Sequence, residues 1–219
     1  SAFGSALTPA PDQPAAWITE AVQPVPRNIY GVSKAAAESL AELFHRAHRL
    51  PVVVLRTSRF FPEADDDPAV RGAYDVANVQ ANELLYRRVD IADVVDAHLR
   101  ALNRAAEIGF GRYIVSATTP FERGDLPELR ADAAAVVRRL FPECEALYAA
   151  RGWRLFPSLD RVYVNETARA DLGWIPRYDF RHVLDCLARG EDFRSELALE
   201  VGVKGYHGEA WRGGVYPTV

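Results

Sequence analysis

The chain is 219 residues long, 49% apolar and 26% charged, with a formal net charge of −4. That size and balance suit one domain, or a domain and a half, with a full hydrophobic core. They argue against a nucleic-acid binder, which would gather a basic excess on one face, and the scattered arginines form no polybasic tract for a membrane surface.

No apolar run approaches the roughly 20 residues of a membrane span, and the first residues lack a basic-then-apolar signal pattern. Cys144 and Cys186 are far apart, without metal or redox spacing, so reduced thiols of a cytoplasmic protein are expected, and no metal site.

In chain order, SAFG reads as the end of a strand, and the Pro-rich residues 5–27 as a long surface loop. Asn28 is a candidate cap for a helix over 29–48, where alanines, Leu40, Leu43, Phe44 and Ala47 recur at helical spacing. PVVVLR then predicts a short β-branched strand, apolar on both faces as in a buried parallel sheet.

Residues 57–75 are loop-like, with Asp65, Asp66 and Asp67 read as a solvated turn. RRVDIADVVDAHLRALNRAAE predicts a short strand followed by a helix with Val94, Val95, His98 and Leu102 on one side. GRYIVSA is a further strand. From Asp125 the pattern is mostly helical, with two short helices each ended by Gly, and the last twenty-odd residues read as a surface tail. The order predicts an α/β fold with a parallel sheet and a small, mainly helical lobe. The expected division is 1–116, with 57–85 belonging to the second lobe, and 117–219.

One stretch carries chemistry. In PRNIYGVSKAAAE, Tyr30 and Lys34 are four apart on the helix and share a face. A free phenol, with a pKa of about 10, is a poor base at neutral pH, and a neighbouring ammonium favours the phenolate. The same ammonium can hydrogen-bond a ribose hydroxyl. Lysine is scarce: of the 26 basic residues only Lys34 and Lys204 are lysine, so one at this spacing is conspicuous. His45 and His48 lack a third metal ligand and read as helix-face residues.

Pro26, Tyr30, Gly31, Ser33, Lys34 and Glu38 resemble the P-x-x-x-Y-G-x-S-K-x-x-x-E active-site helix of the NAD-dependent epimerase/dehydratase family, within the extended short-chain dehydrogenase/reductase superfamily. SAFG, PVVVLR, RRVDIADVVDAH and DLGWIP resemble further family segments in the expected order. The resemblance implies the C-terminal part of a Rossmann-like sheet, NAD or NADP as cofactor, and Tyr30 as acid/base with Lys34 as its ribose-binding partner. Ser58 matches the position whose backbone touches the nicotinamide end. It also implies a homodimer through the 29–48 helix, and a small-molecule substrate, commonly a nucleotide sugar.

The match has departures. The family's Gly-rich GxxGxxG turn, which precedes the active-site helix, does not stand before Tyr30 here, and its catalytic Ser/Thr falls before Ser1, as though the chain were N-terminally truncated. Ser1 corresponds instead to a site used by an acidic residue in the dehydratase branch. Where the family commonly has Asn after the strand-end Arg56, this chain has Arg59. At its diphosphate-binding Arg stands Tyr86, with Arg87 adjacent. Ser1, Arg59, Tyr86 and Arg87 are therefore the candidate substrate residues, the arginines being suited to phosphate or carboxylate. Two alternatives stay open: an NADPH-dependent carbonyl reductase on the same scaffold, and a non-catalytic fragment or interaction module.

Overall fold

A computed structural model describes residues 2–60 and 67–201. Helix α1 spans Ile29–His48, as the sequence pattern predicts. Asn28 is extended, and its side chain accepts the Gly31 N–H at 2.8 Å, pairing an amide that the first turn leaves without a helical partner.

Strand β2 spans Val52–Thr57 and β3 spans Phe110–Val115; β1 (Ala16–Ile18) and β4 (Arg161–Tyr163) form a second pair described below. β2 and β3 pair in parallel, from Val52 opposite Phe110 to Thr57 opposite Val115. Parallel neighbours need a crossover. It includes α2 (Pro68–Ala73), α3 (Val76–Glu83) and α4 (Ile91–Ile108).

Several expectations need correction. The side chains of β2 are half-buried or exposed rather than buried on both faces, because β3 is its one strand neighbour among the described residues. The loop-like stretch after it contains α2, capped by the Asp67 side chain on the Ala69 N–H, and runs into α3. No strand forms at 87–89; a single bridge joins Arg59 to Arg88. The buried stripe of α4 is Asp93, Val94, Ala97 and Ala101, whereas Val95, Leu99 and Leu102 are exposed.

The presumed loop over 5–27 holds a short 3-10 turn, Ser5–Leu7, and strand β1, Ala16–Ile18. β1 pairs in parallel with β4, Arg161–Tyr163, making a second two-stranded sheet where one was expected. At three residues each, these strands are too short to show a period of two in the sequence.

The remaining helices are α5 (Leu126–Leu140), α6 (Cys144–Ala149), α7 (Glu166–Leu172), α8 (Phe180–Arg189) and α9 (Glu196–Val201). α7 and α8 end at Gly173 and Gly190 in left-handed backbone, as predicted. The expected tail over 202–219 lies outside the described residues.

The largest apolar cluster joins α5, α6 and α8 to Ala81–Tyr86, with Leu129, Val136, Phe180 and Leu184 almost fully buried. A second packs Trp174 and Leu172 against Val94, Tyr113 and Val115. A third, Phe3, Leu7, Ile18 and Ile114, lies beneath the site described next. Cys144 and Cys186 are buried free thiols. Among the described residues no helix is long and apolar enough to cross a membrane.

Candidate functional site

The first turn of α1 carries Tyr30, which is 44% exposed. Lys34, one turn on, holds its Nζ 5.0 Å from the centre of the Tyr30 ring. Both line an open cleft of about 450 Å³ together with Phe3, Glu38, Arg56, Thr57 and Tyr163. Three elements converge there because α1 packs along β2, and β4 carries Tyr163 against Phe3, with ring centres 6.1 Å apart. Burial pushes the Tyr163 phenol above its ordinary range.

The floor is tied by ions. Arg56 donates from Nε to Glu38 Oε1 at 3.0 Å and from Nη2 to Glu38 Oε2 at 2.7 Å. It also reaches the Glu20 carbonyl at 3.3 Å, and its guanidinium lies 4.7 Å from the Phe3 ring centre. Glu20 in turn accepts the Ile114 N–H and the Thr167 hydroxyl, fixing the segment after β1 to β3 and α7.

Ser58, at the end of β2, donates its N–H to Val115 at 2.9 Å. Its Oγ is buried without a hydrogen-bond partner among the described residues. Lys34 makes no ion pair among the described residues.

The expected substrate residues lie elsewhere. Ser1 falls outside the described residues. Arg59 Nη1 and Arg87 Nη2 meet on Glu83 Oε1 at 3.2 and 2.7 Å, and Arg88 Nε meets Glu83 Oε2 at 2.7 Å. Glu83 is fully buried, so three guanidinium groups gather on one carboxylate inside the protein. Burial works against the charge of Arg88, and Glu83 opposes that effect.

Tyr86 and Arg87 line a second cleft of about 520 Å³ with Tyr74, Arg130, Phe156 and Arg161. Tyr86 is buried, and the loss of water pushes its phenol well up. Arg161 is tied to Asp160 at 2.9 Å, whereas Arg130 has no ion pair among the described residues. Arg161 in the second cleft and Tyr163 in the first are two residues apart on β4, roughly 7 Å along the strand. The arrangement thus pairs a Tyr-Lys cleft with a neighbouring cleft edged by arginines and aromatic rings.

Sequence reasoning missed Glu83, Arg130 and Arg161. No local pattern marks an arginine facing a cleft when all but two of the basic residues are arginine.

The sequence pattern of the NAD dependent epimerase/dehydratase family matches residues 2–115, just over half of the chain and including the whole of α1, β2 and β3. The chain belongs to that family. Family membership accounts for the parallel pair β2–β3 with α1 alongside it, and the match contains both Tyr30 and Lys34.

No curated protein matches the chain. Among solved structures, the chain is similar to RMD from Pseudomonas aeruginosa complexed with NADPH, at 24% identity and a TM-score of 0.47, covering 81% of this chain and 60% of that one. It is similar to UDP-glucuronic acid 4-epimerase from Bacillus cereus in complex with NAD, at 15% identity and 0.48, covering 89% and 60%. It is also similar to dTDP-glucose 4,6-dehydratase from Bacillus anthracis str. Ames in complex with NAD, at 17% and 0.45, covering 82% and 58%. This family member spans about three-fifths of the length of these structures.

Proposed function

We propose that the chain carries the acid/base and substrate-binding portion of an NAD(P)-dependent epimerase/dehydratase acting on a secondary alcohol of a nucleotide sugar. The observation that supports this most is the Lys34 Nζ held 5.0 Å over the Tyr30 ring at the rim of an open cleft.

The residues fit a nicotinamide cofactor. Lys34 has no ion pair among the described residues, and Ser58 Oγ is a buried polar atom without a partner there. Lys34 would hold a ribose hydroxyl, and Ser58 would lie toward the nicotinamide end. When bound, the nicotinamide supplies the hydride acceptor or donor. Tyr30 holds and moves the proton at its phenolic oxygen, taking it from a substrate hydroxyl or returning it to a carbonyl. Lys34 stabilises the anion left on Tyr30.

The second cleft suits the anionic part of such a substrate. Arg87 and Arg130 can engage phosphate oxygens, and the rings of Phe156 and Tyr74 line the cleft beside them. The exposed Leu40, Leu43 and Phe44 on α1 support pairing of two copies through that helix. A carbonyl reductase is the second reading. It is favoured because Arg59, standing where the family commonly has Asn, is directed to Glu83 and does not line the Tyr30 cleft.

Turnover with NAD(P) and a panel of nucleotide sugars, in the longest polypeptide that contains these residues, tests the reading. Tyr30→Phe is expected to lower it by about 10²-fold or more while leaving cofactor affinity nearly intact. Undiminished turnover would refute the catalytic assignment. The 219 residues alone, which contain no GxxGxxG turn ahead of the Tyr30–Lys34 helix, are expected to show little turnover.

A further inference from the structure

Lys34 and Glu38 are four residues apart on α1 and line the same cleft. At that spacing a lysine and a glutamate on a helix ordinarily pair. Here Glu38 turns to Arg56 instead, accepting two parallel hydrogen bonds at 3.0 and 2.7 Å. Arg112 from β3 adds a second guanidinium, its Nε 3.5 Å from Glu38 Oε2.

The fork is well supported. The side chains of Arg56 and Glu38 are only 9% and 12% exposed. Arg56 is braced by the Glu20 carbonyl and the Phe3 ring, so its side chain loses little further freedom in gripping the carboxylate. A largely buried, two-bond Arg–carboxylate contact outcompetes a single contact from an exposed lysine, which is screened and entropically costly.

We propose that Arg56 is a positioning residue for the Tyr30–Lys34 couple: it holds Glu38 away from Lys34, so that the ammonium stays directed to Tyr30 and to a bound ribose. This rests on the acid/base reading of Tyr30 and Lys34. Without Arg56, Glu38 keeps only the longer 3.5 Å contact to Arg112, whose Nη2 is held by Glu42, and the carboxylate can turn to Lys34 one turn away and draw its ammonium off the tyrosine. The same fork locks α1 onto β2.

The test uses the chain as it stands and needs neither turnover nor cofactor, so a failure of the catalytic reading leaves its result intact. Lys34 is acetylated with a limiting amount of acetic anhydride, and its rate is read by mass spectrometry against Lys204, the only other lysine in the sequence. An ion pair stabilises the ammonium and slows acylation.

In Arg56→Met the Lys34 rate is expected to fall about two- to fivefold. Adding Glu38→Gln should restore it, and Glu38→Gln alone should leave the parent rate unchanged. Arg56→Gln serves in the same scheme where Arg56→Met does not fold. A Lys34 rate in the Arg56 variant equal to or above the parent's overturns the proposal. So does a slowing that Glu38→Gln fails to reverse, since general damage to the helix would not depend on that carboxylate.

Discussion

Asp93 accepts the backbone N–H of Tyr178 at 3.0 Å, and both its oxygens accept that of Arg177 at 3.0 Å. Its own carbonyl accepts the indole N–H of Trp174 at 3.1 Å. One residue in the first turn of α4 thereby fastens the turn after α7 to the α/β layer. Asp93→Ala would leave two partly buried amides without their acceptor. The expected cost is about 2–4 kcal/mol, read as a fall in the urea midpoint at unchanged m-value. A loss under about 0.5 kcal/mol would show that water replaces the carboxylate.

The same carboxylate links stability to pH. Burial pushes the Asp93 carboxyl from an ordinary 3.8 up to about 6, against the pull of the Tyr178 and Arg177 amides, with Asp90 adding to the rise. The folded chain holds this proton more tightly than the unfolded one. The contribution to stability is therefore complete below pH 3.8 and is lost as pH rises through about 6. The shift corresponds to on the order of 3 kcal/mol. Asp93→Asn has no such proton, so the parent should lose ground to it by that order between about pH 4 and pH 7. Parallel stability curves for the two would contradict the linkage.

Gly4 sits at φ 51, where a Cβ would lie 1.9 Å from the Val25 carbonyl oxygen. The neighbour is backbone, held by the Gly4–Val25 bridge and by Val25 hydrogen bonds to Phe3 and Ser5. Gly4→Ala must displace the segment that sets Phe3 under Arg56. A loss of about 2 kcal/mol or more is expected in thermal melts. Gly72→Ala, where nothing lies within 4 Å of the added methyl, is the matched control and should be near neutral or slightly stabilising. Equal melting temperatures for both variants would show that the Gly4 turn yields freely.

The elements read correctly from sequence are those whose signal is local. α1 shows its cap, its period and its Tyr-Lys spacing within about twenty residues, and β2 shows as the short apolar run PVVVLR. α4 was found but turned the wrong way: its exposed Val95, Leu99 and Leu102 are as apolar as its buried face, so hydrophobicity alone did not choose the side. β1 and β4 escaped because each needs the other, 145 residues away at Ala16 opposite Arg161, to be a strand at all. The same holds for the Glu83 cluster. Its carboxylate lies in a helix absent from the sequence reading, and Arg59 reaches it only once the chain has folded.

Trp174 is fully buried among Leu172, Val94, Ala97 and Val115, and its single polar atom is paired with Asp93. Trp174→Phe keeps part of the apolar contact but removes a ring and leaves the Asp93 carbonyl without its indole donor. About 2–3 kcal/mol of destabilisation is expected, with Trp174→Ala costing about 3–5 kcal/mol. Denaturant midpoints should fall in that order. A Phe variant as stable as the parent would mean that the indole hydrogen bond contributes nothing and that the site closes around the smaller ring.

Arg130 decides whether the second cleft is an anion site. It lines the cleft with Arg87 and Arg161, yet unlike Arg161 it has no carboxylate partner among the described residues. Removing its charge should therefore spare the fold, and Arg130→Ala is expected to change stability by less than about 0.5 kcal/mol. A charge-assisted contact to phosphate is worth more, so the affinity for UDP measured by titration calorimetry should weaken about tenfold. The difference should shrink as salt rises, since the cleft is open to solvent. Arg130→Lys should recover only part of the loss, because an ammonium cannot grip two phosphate oxygens as a guanidinium does. Unchanged UDP affinity in Arg130→Ala would remove Arg130 from the site, and the absence of UDP binding to the parent chain would remove the cleft.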